Sequence, residues 1–137
     1  MALMTVTGLA EIIRDLNATA DDIKSCSEEI CEAGAKIIKD EQVKTGEAMG
    51  VRRTGVTLGS LKVCDFVRTA NGGYRKIVFE GNNGDGNPNS EVAFINEYGK
   101  TNQPARPFIA TANETSEPAT IRVAIDALDR HLRKHNL

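Results

Sequence analysis

The sequence predicts an α+β fold, in which a long N-terminal amphipathic helix and a C-terminal helix pack on one small antiparallel sheet. Three observations predict it. Ile23, Cys26, Ile30, Gly34, Ile37 and Ile38 hold one apolar stripe at helical spacing. Ile121, Ile125, Leu128 and Leu132 follow at spacings of 4, 3 and 4. Between these stripes, two segments that alternate apolar with polar residues flank Asn71-Gly72-Gly73, a strong turn signal. With 137 residues, the chain fits a single domain, 1–137, with neither internal repeat nor linker.

The first apolar positions, Leu9, Ile12, Ile13 and Leu16, predict a short helix behind an N-cap at Thr7 and closed by Asn17. A new start is expected at Thr19, with Asp22 completing a capping-box-like pattern. Gly34 costs the long helix about 1 kcal/mol against Ala, which implies that another element approaches closely there. From Thr45 to Gly59 four glycines (Gly46, Gly50, Gly55 and Gly59) predict a loop. Leu61, Val63 and Phe66 read as one strand and Tyr74 to Glu80 as its returning partner. Gly81 to Ser90 reads as a mobile polar loop, and Glu91 to Tyr98 suits either strand or helix. Pro107 is expected at the first position of a short helix that carries Phe108, Ile109 and Ala112 inward. The last helix is expected to open near Ser116, with Pro118 in its first turn and Arg130, Arg133 and Lys134 at its negative end.

Composition excludes several function classes. A formal net charge of −2 gives no whole-molecule pull toward nucleic acid. Four Phe, two Tyr and no Trp leave few platforms for stacking bases or sugars. No long apolar run predicts a membrane span or signal peptide. Cys26, Cys31 and Cys64, an odd set without paired spacing, read as free thiols of a cytoplasmic protein. The charge is uneven along the chain. Glu11 to Glu32 holds seven acids against Arg14 and Lys24, whereas Lys36 to Lys76 holds nine bases against four acids. Such asymmetry suits head-to-tail contact between copies, and equally describes two ordinary solvated faces.

Catalytic and metal chemistry find no foothold. His131 and His135 have the i, i+4 spacing of a metal pair but lack a third ligand, and are expected as exposed histidines near a frayed helix end. The run Asn82, Asn83, Asp85, Asn87 and Asn89 suggests calcium superficially, but from Asn83 the sixth and twelfth positions are Pro88 and Phe94. No nucleophile sits beside a base, and no phosphate-binding glycine loop occurs. The chain is therefore expected to be no enzyme and to need no cofactor. Arg52 and Arg53, near Lys44 and Lys62, form a modest basic patch that could touch phosphate or an acidic partner. The alternative function is accordingly a small nucleic-acid-binding module, which a steep salt dependence of DNA affinity would reveal.

The informative stretch is Glu97 to Phe108, EYGKTNQPARPF. Pro104 and Pro107 each fix φ and bias Gln103 and Arg106 toward extended backbone. Gly99 permits a positive φ just after Tyr98. A stiff turn with an aromatic at each end suits docking onto a neighbour, and equally suits pinning a helix to its own sheet. Phe108 is expected in its own fold, leaving Tyr98 and the glycine-rich loops as interface candidates.

Glu97-Tyr98-Gly99-Lys100-Thr101 followed by Pro104-Ala105-Arg106-Pro107-Phe108-Ile109 resembles a pattern of the tail-component family of long-tailed phages, the gene-product-ten-like proteins of the Hong-Kong-type lambdoid phages. Thr54-Gly55 with Ser60-Leu61 match a second family element, and Gly8-Leu9 with Leu16 a weaker third. The chain departs from the pattern at Arg52-Arg53, where the family has Pro, at Thr57, where it has Leu, and at Thr111-Ala112, where it has Pro-Ala. The resemblance implies a structural virion protein of a phage or prophage, acting at the head–tail joint or in tail completion. It implies a ring of copies, sixfold or twelvefold, docked on other neck, connector or tail-tube proteins. It also implies residence in the bacterial host cytoplasm during assembly and in the virion afterwards, with DNA contact at most incidental. Loops Gly46–Gly59 and Gly81–Ser90 are the expected segments that order on assembly.

Overall fold

The computed structural model describes residues 9–51, 55–70 and 72–134, with side chains of the first helix described at position 21 and from position 24 onward. Element order is α1 (Leu9–Ala48), α2 (Val56–Gly59), β1 (Leu61–Val63), β2 (Val67–Thr69), β3 (Gly72–Tyr74), β4 (Ile77–Phe79), α3 (Asn89–Tyr98) and α4 (Phe108–Lys134). This is the α+β arrangement predicted, with the two long helices as its frame.

α1 is one helix of 40 residues, not the two expected. Asn17 does not close it, because Asn and Thr each cost a helix interior no more than about 0.7 kcal/mol and no Gly or Pro occurs between Leu9 and Gly34. The proposed cap Thr7 lies outside the described residues. α1 also runs three residues past Thr45, through Gly46. That glycine is buried, and a Cβ on it would stand 2.6 Å from Leu58 Cδ2 and 3.2 Å from Phe108 Cδ2. A helical glycine here marks a close approach rather than a loop.

α4 packs antiparallel on α1, the most extensive contact of the fold. Gly34 faces Thr120, whose Cγ2 would lie 3.2 Å from an added Cβ, as the sequence led us to expect. Farther along, Gln42 Nε2 donates to Asn113 Oδ1 at 3.1 Å. α4 likewise merges two expected helices, so Pro118 sits inside it rather than in a first turn. Proline there removes the bond to the Glu114 carbonyl. The helix continues because Phe108, Ala112, Ser116 and Ala127 are buried along one face on both sides of it.

That buried face corrects another expectation. The stripe Ile121, Ile125 and Leu128 is exposed, because small residues at Ala112, Ser116 and Ala127 let α4 approach α1 more closely on a different face. His131 is half-buried rather than frayed outward, and its Nε2 donates to Glu29 Oε2 at 2.9 Å. Arg130 donates to the other Glu29 oxygen at 2.7 Å, and Arg68 reaches Glu28 at 3.3 Å. Part of the acidic segment thus meets basic residues of its own chain.

The hairpin is present but broken into two ladders. Leu61 pairs with Phe79 and Val63 with Ile77; Val67 pairs with Tyr74 and Thr69 with Gly72. Between them Cys64, Asp65 and Phe66 oppose only Arg75 and Lys76, a bulge that bends the ribbon. Cys64 N still donates to Lys76 O at 2.8 Å, and Arg75 Nη1 to Cys64 O at 3.1 Å. The tip is the two-residue connection at positions 70 and 71, of which Asn71 lies outside the described residues. None of the three cysteines is in a disulfide: Cys26 is buried, while Cys31 and Cys64 are half-buried.

The core joins Val51, Leu58, Ala93 and Phe108, with Met49, Phe79 and Ile109 packed against it. Phe79 meets Phe108 edge-on, with centroids 6.1 Å apart. This arrangement is favoured by the aromatic quadrupole.

Candidate docking site around the Glu97–Phe108 segment

The undecided segment Glu91–Tyr98 is helical, within α3. The chain enters it through the supposed mobile loop, which carries more structure than expected. Asn83 Oδ1 accepts the backbone N–H groups of Asp85 and Asn87, each at 3.0 Å, forming a local Asx-type turn. Asn89 is nearly fully buried, donating to Glu80 O at 3.0 Å and accepting from Thr57 Oγ1 at 3.4 Å. A single amide thereby ties the residue after β4 to α2 and α3. Gly46 to Ala48 and Val56 to Gly59 are likewise helical. Of the two candidate ordering segments, only 49–51 with 55 and 81–88 lie outside helices and strands among the described residues, and Asn82 and Pro88 form an isolated bridge within the latter.

Beyond α3, Gly99 adopts φ 78° and its N–H closes the helix on Ile95 O at 2.7 Å. A Cβ there would stand 2.8 Å from both Ala105 N and Gln103 O. Glycine is thus required twice, for its φ and for the close approach of Ala105. Lys100 and Gln103 exchange backbone hydrogen bonds at 2.9 and 3.0 Å, so the polar spacer is a tight turn. Arg106 N donates to Asn96 O at 2.6 Å, and its Nη1 to Gly50 O at 3.0 Å. The returning strand of chain is therefore stapled to both α3 and the end of α1.

Glu97 explains the acid of the motif. Only 8% exposed, its Oε2 accepts from Ile109 N at 2.8 Å and its Oε1 from Ala110 N at 3.0 Å. These are first-turn amides of α4, which have no partner within their own helix. A carboxylate from α3 thus caps α4 and meets the positive end of its dipole. Pro107, which has no N–H, precedes Phe108 at the helix start. Phe108 is 0% exposed, so the expectation that it belongs to its own fold holds. Glu97, Gly99, Pro104, Ala105, Pro107 and Phe108 are one framework that joins α3 to α4.

Tyr98 is left over from this framework. It is 69% exposed and lies against Phe94, itself 61% exposed, with centroids 4.8 Å apart and the rings tilted by 50°. Two large aromatics side by side on the outer face of a capped helix form an apolar patch with a hydroxyl at its edge. Such residues serve as interface anchors because they present a large area at little entropic cost.

An open cleft of about 500 Å³, which neither Phe94 nor Tyr98 lines, is bounded by Asn83, Asp85, Asn96, Lys100, Gln103 and Arg106, among others. Gly50, Val51 and Gly55 line it too, whereas Arg52, Arg53 and Thr54, which lie between them in sequence, are outside the described residues. Gly55 takes φ 77° ahead of α2, and Ser60 Oγ donates to Thr57 O at 2.6 Å, closing that helix. The described part of this segment, from Gly55 to Ser60, is thus a helical turn that sets Leu58 in the core. His135 is outside the described residues, and among those described no three His, Cys, Asp or Glu side chains gather to hold a metal. Among them, too, no helix is long and apolar enough to cross a membrane.

The sequence missed Asn89, Asn96 and Arg106 as organising residues. The signal at Asn89 was available, since Asn-Pro-Asn-Ser at 87–90 has the composition of a helix start. The bonds made by Arg106 span 56 residues in one case and carried no local signal. Compared with family models, with curated proteins and with solved structures, the chain matches none.

Proposed function

We propose that this protein is a structural assembly component of a long-tailed phage or prophage, acting at the head–tail joint or in tail completion. The observation that carries the proposal is the division of labour within Glu97–Phe108. Glu97, Gly99 and Phe108 lock α3 and α4 together, leaving the Phe94–Tyr98 pair in solvent. A rigid mount with an unburied aromatic pair supports docking onto another protein surface without reorganisation. The motif resemblance names the surface: neck, connector or tail-tube proteins, approached by a ring of six or twelve copies. Docking is through contacts between subunits, without chemistry, and DNA contact is incidental to it.

The test is electron microscopy of the purified chain, alone and mixed with tail tubes. Rings that cap the tubes are expected. Phe94→Ala/Tyr98→Ala should fold normally, since both side chains are exposed, yet fail to cap. Monomers that never cap a tube, or capping untouched by the double substitution, would refute the proposal.

A further inference from the structure

Asn83 stands directly before Gly84, and among the described residues no other Asn precedes a Gly. The pairing has a chemical consequence. A glycine puts no Cβ beside its own backbone nitrogen, so that nitrogen can approach the carbonyl carbon of the preceding Asn side chain.

The loop at 81–88 prepares that carbon for attack. Asn83 Oδ1 accepts from Asp85 N and Asn87 N, each at 3.0 Å. Two donors on one amide oxygen draw electron density from Cγ and sit where negative charge grows when a nucleophile adds. The Asx-type turn also folds the side-chain carbonyl over the peptide unit that follows, which brings Cγ toward Gly84 N. Gly84 N and Asn83 Nδ2 make no hydrogen bond among the described residues, so neither nucleophile nor leaving group is engaged. Backbone bonds from Asn83 N to Asn87 O at 2.8 Å and from Gly86 N to Asn83 O at 3.0 Å hold the turn. The buried asparagines lack this arrangement. Asn89 and Asn96 precede Ser90 and Glu97, and each has both ends of its amide engaged.

We propose that Asn83 is a site of self-promoted deamidation, where the folded loop speeds conversion of its own side-chain amide to a carboxylate. Gly84 N gives its proton to hydroxide and bonds to Asn83 Cγ. The Cγ–Nδ2 bond breaks, and ammonia leaves with a proton taken from water. Water then opens the resulting succinimide at either carbonyl, leaving aspartate or isoaspartate at position 83. Amide and water become carboxylic acid and ammonia, with no change of oxidation state. The product adds a negative charge to the cleft that Asp85, Lys100 and Arg106 also line. In the isoaspartate form the main chain runs through Cγ, and the carbonyl that Gly86 N reaches leaves it. The inference rests on this loop and not on the assembly role.

Mass-spectrometric peptide mapping of the full chain, held in mildly alkaline buffer, tests it against a synthetic peptide of residues 80–87 in the same buffer. Conversion at position 83 should run about tenfold faster in the folded chain, short of the roughly 10²–10³ of a buried oxyanion donor because this loop is exposed. Asp85→Pro removes one of the two N–H donors and should bring the rate back toward that of the peptide. A folded chain that converts no faster than the peptide would overturn the proposal. So would an Asp85→Pro chain that converts as fast as wild type.

Discussion

Removing the Glu97 carboxylate is the sharpest probe of how the motif works. Its two oxygens hold Ile109 N and Ala110 N at 2.8 and 3.0 Å in a nearly water-free position. Hydrogen bonds to a charged group contribute about 1.5–3 kcal/mol each when considered singly, and a charge at a helix end adds about 0.3–1 kcal/mol. The two bonds share one carboxylate and are not additive, so Glu97→Ala should cost about 3 kcal/mol. Glu97→Gln keeps one acceptor but turns an N–H toward a second N–H and removes the charge. It should cost about 2 kcal/mol. With a urea slope of about 1–3 kcal/mol/M, the unfolding midpoint should fall by about 1 M for either variant. Hydrogen exchange should quicken first at Ile109 and Ala110, because the first turn of α4 opens before the rest. Midpoints within about 0.2 M of wild type, together with unchanged exchange at those two amides, would refute the capping account.

Gly46→Ala should destabilise by about 1–3 kcal/mol despite better helix propensity, because Leu58 and Phe108 are both buried against that site. Urea unfolding measures it, and a neutral or stabilising result would mean that the core relaxes freely there. The Glu29 carboxyl is held below the usual carboxylate range, chiefly by the His131 hydrogen bond and then by Arg130. A depressed carboxylate favours the folded chain above that range, and this contribution is lost as pH falls through it. Glu29→Gln should therefore lower stability at neutral pH and flatten the acid limb of the stability–pH curve. Parallel curves for wild type and variant would exclude the pairing as a source of acid sensitivity.

The sequence alone determined the fold class and an amphipathic helix toward each end of the chain, and it favoured an inward Phe108 without deciding it. These follow from periodicity and from turn chemistry, which are local and survive without knowledge of partners. The close approach at Gly34 was legible for the same reason, since a helical glycine has few other uses. Tertiary packing decided the rest. Asn17 and Pro118 are weak stops when a neighbouring helix or an uninterrupted run outweighs them, and Gly46 reads as loop until Leu58 and Phe108 are seen above it. The 4, 3, 4 stripe of α4 is a true helical signal, but periodicity cannot tell a core-facing stripe from an outward one. Small residues at Ala112, Ser116 and Ala127 settled which face met α1. The opening motif divides in the same way. Its stiffness was visible in Pro104, Pro107 and Gly99, whereas the partners of Glu97, twelve and thirteen residues downstream, exist only once α3 and α4 meet.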